Sequence, residues 1–231
     1  DLSSGPISFM NIYDAVCKCV ASSGHRRGAQ MGILRVDHPD VEEFVHAKQP
    51  AAEVQPLWDA VADMPDGPQK AQLVASLQST LRLTGFNMSV AITDEFMEAA
   101  AAGKPFALRF GGRTYREIDA AALWETIMRS TWDWAEPGVL FIDAINRMNN
   151  LWYCETIAAT NPCGEQPLPP HGACLLGSFD LAKYIVRTAS GFAFDWEQFK
   201  ADIPVVVRAM DNVVDRAIYP LPQQGHEAKS K

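Results

Sequence analysis

The chain has 231 residues, 48% of them hydrophobic, and a formal net charge of −8. That bounds it to one large or two small domains with a sizeable core, and an acidic chain with no basic run longer than Arg26–Arg27 is not a reader of nucleic-acid polymers, although a small basic patch still suits a nucleotide's phosphates. No apolar run approaches the ~18 residues of a membrane helix, no signal peptide is visible, and five cysteines are too few for a disulfide scaffold, so a cytoplasmic, reducing setting is expected, with any thiol pair catalytic.

Phe9, Ile12, Val16 and Cys19 or Val20 recur at helical spacing, and Gly24 stops that helix. "HRRGAQMG" is a polar, glycine-containing loop, and "ILRV" a buried strand. "DHPDVEEFVHAK" opens a helix, with Pro39 in its first turn and acidic residues at its positive end. Residues 50–67 predict loop with one short helix around Trp58, and "QKAQLVASLQSTLR" predicts helix, with Leu73, Leu77 and Leu81 four apart. "FNMSVAI" is a strand, and "TDEFMEAAAAG" a helix from a Thr93 cap to Gly103. "FALRFGGRTY" is a hairpin about Gly111–Gly112, followed by a helix up to Pro137–Gly138 and the strand "VLFID". From Asp195, with Gln198 three residues on, a long helix is expected, kinked or restarted at Pro204. Strands separated by helices argue for an α/β domain with a largely parallel sheet.

The stretch "ATNPCGEQPLPPHGACLLGS", residues 159–178, stands apart, with two cysteines and four prolines in a segment poor in helix formers. Pro162 and Gly164 disfavour helix, so an extended chain is expected, in which Asn161, Cys163 and Glu165 point to one side. An amide, a thiol and a carboxylate then converge: the carboxylate can take a hydroxyl proton, the amide can hold an oxygen, and the sulfur can act as nucleophile or hydrogen-atom carrier. Cys174 lies where an apolar run resumes, and a loop that doubles back brings it near Cys163. The plain alternative is a loop cysteine of structural role. No C-x-x-C or His pair has zinc spacing, so no metal site is expected, and a Cys–His hydrolase through His171 has little support from spacing. Cys17 and Cys19 sit on a helix as core or surface thiols, and Cys154 reads as structural rather than catalytic.

"NPCGEQPLPPHGACLLGS" closely resembles the finger-loop segment of class II, adenosylcobalamin-dependent ribonucleotide reductases. "SSGPISFMNIYDAV", "RRGAQMGILRVDHPDVEEFVHAK", "GFNMSVAITDEFM", "GVLFIDAINRMNN" and "DNVVDRAIYPLPQQGHEAKSK" are similar to further family segments in the family order. The resemblance implies an enzyme of DNA-precursor synthesis that reduces ribonucleotides by thiyl-radical chemistry, with adenosylcobalamin as cofactor. Cys163 then resembles the residue that becomes the thiyl radical, Glu165 the carboxylate that takes the 3′-hydroxyl proton, and Asn161 the amide that holds the substrate hydroxyls. Cys174 resembles one of the two cysteines that end as a disulfide. Residues 22–32, with Arg26, Arg27 and Gln30 as donors, resemble the segment that links a deoxynucleotide or ATP effector to substrate choice. A thioredoxin-like or glutaredoxin-like reductant and a homodimer of the intact protein are implied as partners.

The fold so implied is part of a ten-stranded α/β barrel: residues 1–231 as a partial catalytic domain, roughly the first half-barrel plus the finger loop at 158–177, with residues 50–82 as an insertion relative to the family. The strand bearing the partner of Cys174, the second half-barrel and a C-terminal cysteine pair have no counterpart in these residues. The chain is therefore expected to be a fragment of a reductase, or one piece of a split one. The alternative function is a nucleotide-binding or interaction module derived from that family, without turnover of its own.

Overall fold

The computed structural model describes residues 4–20, 28–51, 53–78 and 81–231. The chain divides into two units, one made of residues 1–152 and 156–167, the other of residues 153–155 and 168–231.

The first unit opens with α1 (Gly5–Val20) and β1 (Gln30–Arg35), followed by α2 (Val41–His46), α3 (Gln55–Ala62) and α4 (Pro68–Gln78). Next come β2 (Phe86–Ile92), α5 (Asp94–Ala101), the hairpin of β3 (Pro105–Phe110) and β4 (Arg113–Asp119), α6 (Ala120–Trp134), β5 (Gly138–Phe141) and α7 (Ile142–Arg147). β6 (Ala159–Thr160) and β7 (Pro167–Leu168) are two-residue strands that flank the turn at Cys163. Among the described residues, β1, β2 and β5 form one parallel sheet with β2 in the middle. Parallel neighbours need long crossovers, and the intervening helices supply them. The α/β class and the parallel sheet are as the alternation of elements predicts. The three strands do not close a barrel.

β2 has the near-continuous burial of a parallel strand covered on both faces. Phe86, Met88, Val90 and Ile92 alternate onto the side where Val41, Phe44, Phe96, Leu123 and Ile127 complete the main core. Phe96 is wholly buried and meets Phe106 edge to face, with ring centroids 5.2 Å apart. Thr93 caps α5 as expected, its Oγ1 accepting from the Phe96 N–H at 3.2 Å, and at the start of α6 Asp119 Oδ1 accepts from the Ala122 N–H at 3.0 Å.

Some expectations change. β1 begins at Gln30, inside the stretch expected to be loop. α2 starts at Val41, so Pro39 lies before the helix rather than in its first turn. "VLFID" yields only a short strand, because Ile142 already starts α7. On α1 the stripe of Phe9, Ile12, Val16 and Val20 is helical but exposed. The buried edge is Ile7, Asp14 and Cys17 instead. The Asp14 carboxylate accepts from the Gly85 N–H at 2.6 Å and pairs with Lys18 at 2.7 Å, which turns that edge toward the start of β2. The approach is close: a Cβ on Gly85 would stand 2.9 Å from Asp14 Oδ1 and 3.1 Å from Cys17 Cβ.

The second unit contains an unforeseen hairpin, β8 (Ile185–Thr188) with β9 (Gly191–Phe194), then α8 (Trp196–Arg216) and α9 (Pro222–Lys229). Asp195 caps α8 as expected, accepting from the Gln198 N–H at 3.0 Å. Pro204 lies inside α8, which runs as one element without restarting. Tyr184 packs edge to face on Phe199, with centroids 5.1 Å apart, and donates its hydroxyl to Asp202 at 2.9 Å. Burial, and then that bond to a carboxylate, raise the pKa of the phenol. No described helix is long and apolar enough to cross a membrane.

Truncating a fully buried aromatic leaves a cavity, so Phe96→Ala is expected to cost about 3–5 kcal/mol. Phe9 is 56% exposed, and Phe9→Ala is expected to stay within about 0.5 kcal/mol. Denaturant unfolding of both variants beside the parent chain checks the contrast.

Candidate active site

The loop that carries Cys163 leaves the first unit's sheet through a clamp at Asn146, in the last turn of α7. The Asn146 side chain donates to the Ile157 carbonyl at 3.0 Å and accepts from the Ile157 N–H at 2.8 Å, which copies the pairing of a neighbouring strand. Ile157 is buried and clusters with Ala91 and Ile142. The base of the loop is thus fixed both by backbone pairing and by apolar packing.

Beyond β6 the chain reverses. The Asn161 N–H donates to the Gln166 carbonyl at 3.1 Å, and the Gly164 N–H donates to the Asn161 carbonyl at 3.0 Å. The Asn161 side chain closes the turn further, its Oδ1 accepting from the Gln166 N–H at 3.0 Å. Gly164 has φ +87°, which a residue with a Cβ adopts only under strain. The extended conformation expected here is therefore corrected to a tight turn, because an asparagine that pairs across it and a left-handed glycine bend the chain. Asn161 and Glu165 still come together, by reversal rather than by alternation. Asn161 Nδ2 donates to Glu165 Oε1 at 2.6 Å. Cys163 lies in the turn between them and is exposed.

One more side chain reaches the turn. Asn87, second residue of β2, donates from Nδ2 to the Pro162 carbonyl. Asn87 and Asn146 carry no local signature in the sequence. Their partners lie 75 and 11 residues away, and only the fold reveals them.

The other expected site residues are placed separately. Cys174 belongs to the second unit, is exposed, and borders a cleft of about 210 Å³ with Leu175, Val213, Val214 and Tyr219. Arg26 and Arg27 lie outside the described residues. Gln30 is half-buried at the start of β1, where its N–H donates to the Gly85 carbonyl at 3.0 Å. Of the remaining thiols, Cys17 is buried, while Cys19 and Cys154 are exposed.

A family model described as "Ribonucleotide reductase, barrel domain" matches residues 1–231. The chain belongs to that family. It is similar to a vitamin B12-dependent ribonucleoside-diphosphate reductase of Thermoplasma acidophilum, 33% identical over 96% of this chain and 25% of the relative. A protein of the same description from Mycobacterium tuberculosis (strain CDC 1551 / Oshkosh) is 34% identical over 99% of this chain and 29% of its own length. A vitamin B12-dependent ribonucleotide reductase of Streptomyces clavuligerus is 34% identical over 99% of this chain and 24% of its own length. The chain thus spans about a quarter of these relatives. Within the barrel-domain family, the described residues supply three adjacent parallel strands and the turn that carries Cys163.

Removing the clamp leaves a backbone N–H and carbonyl without their partner. Asn146→Ala is therefore expected to cost about 1–3 kcal/mol. Amide exchange over residues 156–167 should rise in that variant, while exchange in β2 should stay near that of the parent.

Proposed function

We propose that residues 1–231 carry the radical-bearing part of an enzyme that reduces ribonucleotides to deoxyribonucleotides. The observation that carries this reading is the turn in which the Asn161 amide holds the Glu165 carboxylate across Cys163. The family match and the names of the relatives support it. In this reading Cys163 as a thiyl removes the 3′ hydrogen atom of the ribose. Glu165, an acceptor toward Asn161, takes the 3′-hydroxyl proton. The 2′-hydroxyl leaves as water with a proton from one of the reducing thiols, and Cys163 at the end returns the hydrogen atom to C3′. Cys174 and a partner thiol outside these residues give up two electrons and become a disulfide. Asn161 keeps the carboxylate aimed and offers its amide to the substrate hydroxyls. Preset positions of this kind are worth on the order of 7–11 kcal/mol of barrier.

Adenosylcobalamin is the cofactor of this reading. An exposed sulfur at the head of a turn fits a bulky group, since nothing in the turn buries Cys163. If bound there, the cofactor would supply radical chemistry, with Cys163 presenting its sulfur to it and Asn161 holding Glu165 beside it.

The same reading places roughly half of a ten-stranded barrel in this chain, with residues 50–82, which hold α3 and α4, as an insertion. It assigns Arg26, Arg27 and Gln30 to the response to a deoxynucleotide or ATP effector. The exposed stripe of Phe9, Ile12, Tyr13, Val16 and Val20 supports a second copy of the intact protein as partner. A thioredoxin-like or glutaredoxin-like protein would restore the thiols.

In the intact protein, Cys163→Ser and Glu165→Ala are expected to abolish or severely reduce deoxynucleotide formation, and Cys174→Ser to block normal reduction. Residues 1–231 alone should give no product, since the strands of the described residues form a three-stranded sheet that does not close a barrel. Product assays on these samples also separate the enzyme from a non-catalytic module, for which the intact Cys163→Ser variant would match its parent. Hydrogen exchange over residues 22–32 of the intact protein should slow when a deoxynucleotide effector saturates it; unchanged exchange would remove the effector role.

A further inference from the structure

We infer that Asn87 is a positioning residue for the Cys163 sulfur, an inference that rests on the radical role proposed above. The turn's own hydrogen bonds, from Asn161, Gly164 and Gln166, tie it only to itself. Among the described residues, the bond from Asn87 Nδ2 to the Pro162 carbonyl is the one hydrogen bond that ties residues 161–166 to the sheet. The carbonyl it holds belongs to the peptide group whose nitrogen is that of Cys163. Because that peptide is planar, fixing its oxygen fixes the direction in which Cys163 leaves it. The grip thus acts one bond from the residue that must aim its sulfur.

The donor is itself held on both sides. Asp14, buried on α1, takes the Gly85 N–H at 2.6 Å. Lys48 donates to the Phe86 carbonyl and pairs with Glu136. Asn87 follows these two residues at once and lies in register with Met31 of β1. Its neighbours Phe86 and Met88 are buried on the helix-covered face, so strand alternation turns Asn87 to the opposite face, where the loop lies. A carboxylate of the same shape has no proton to give the Pro162 carbonyl, and alanine does not reach it.

The test uses the intact reductase with Asn87→Asp and Asn87→Ala. Both variants are expected to lower kcat about 100-fold, since a misplacement of about 1 Å at the reacting atom has that effect. KM is expected to stay within about threefold, because Asn87 touches no substrate in this reading. Without cofactor or substrate, alkylation of Cys163 followed by peptide mass spectrometry should run at least about threefold faster in both variants, and alkylation of Cys174 should not change. Wild-type kcat in either folded variant overturns the inference. So does a fall in kcat with unchanged Cys163 alkylation. Cys163→Ser in the same assay keeps the two ideas apart: if it still makes product, the radical role fails; if it makes none while Asn87→Asp matches the parent, only the positioning role fails.

Discussion

The parallel pairing of β2 with β1 on one side and β5 on the other is the constraint that the first unit depends on. A parallel strand between two neighbours must be covered on both faces. One face of β2 is covered by the large apolar side chains of α2, α5 and α6. The other presents Asn87, Ser89 and Ala91, which are small or polar, beside Gly138 of β5. Even that glycine is closely packed: a Cβ there would stand 2.9 Å from Ser89 Oγ. Small side chains let backbone come near. At one end Ala91 meets Ile157 and Ile142, and at the other Asn87 meets the Pro162 carbonyl. The composition of this single strand thus separates a packing face from a face over which a loop is held.

Much of this architecture is legible in the sequence because it is encoded locally. "FNMSVAI" sets apolar residues at every second position and reads as a strand; Thr93, Asp119 and Asp195 stand where helix caps are needed. What the sequence conceals depends on distant partners. The apolar stripe on α1 is regular enough to predict a helix, but the side that packs is chosen by Asp14, through a bond to Gly85 that lies 71 residues away. The β8–β9 hairpin falls in "IVRTASGFAF", a weakly patterned stretch with four exposed residues in its first strand. Its Phe194 finds partners in Tyr184 and Phe199, with ring centroids 5.7 and 5.5 Å away.

The candidate site divides in the same way. Its chemical identity, an amide and a carboxylate beside a thiol, is visible in five consecutive residues. Its geometry is not, because proline and glycine in "NPCGE" exclude helix without choosing between an extended chain and a reversal. The choice is made by Asn161, whose backbone and side chain both pair with Gln166. Asn146 and Asn87 are invisible for a related reason. A side-chain amide that imitates backbone looks like any surface asparagine until the strand it imitates is known.

An asparagine at position 161 satisfies two demands that conflict for most side chains. The turn needs an acceptor for the Gln166 N–H, and the site needs a donor for Glu165; Asn161 supplies them from Oδ1 and Nδ2 of one amide. Aspartate would close the turn but set a second carboxylate against Glu165, with no N–H to donate to it. Serine is too short to span both partners, and glutamine's extra methylene adds a rotor to a turn that works by being preset. The same group that folds the loop therefore also holds the Glu165 carboxylate, so that the turn and the candidate site rest on a single amide.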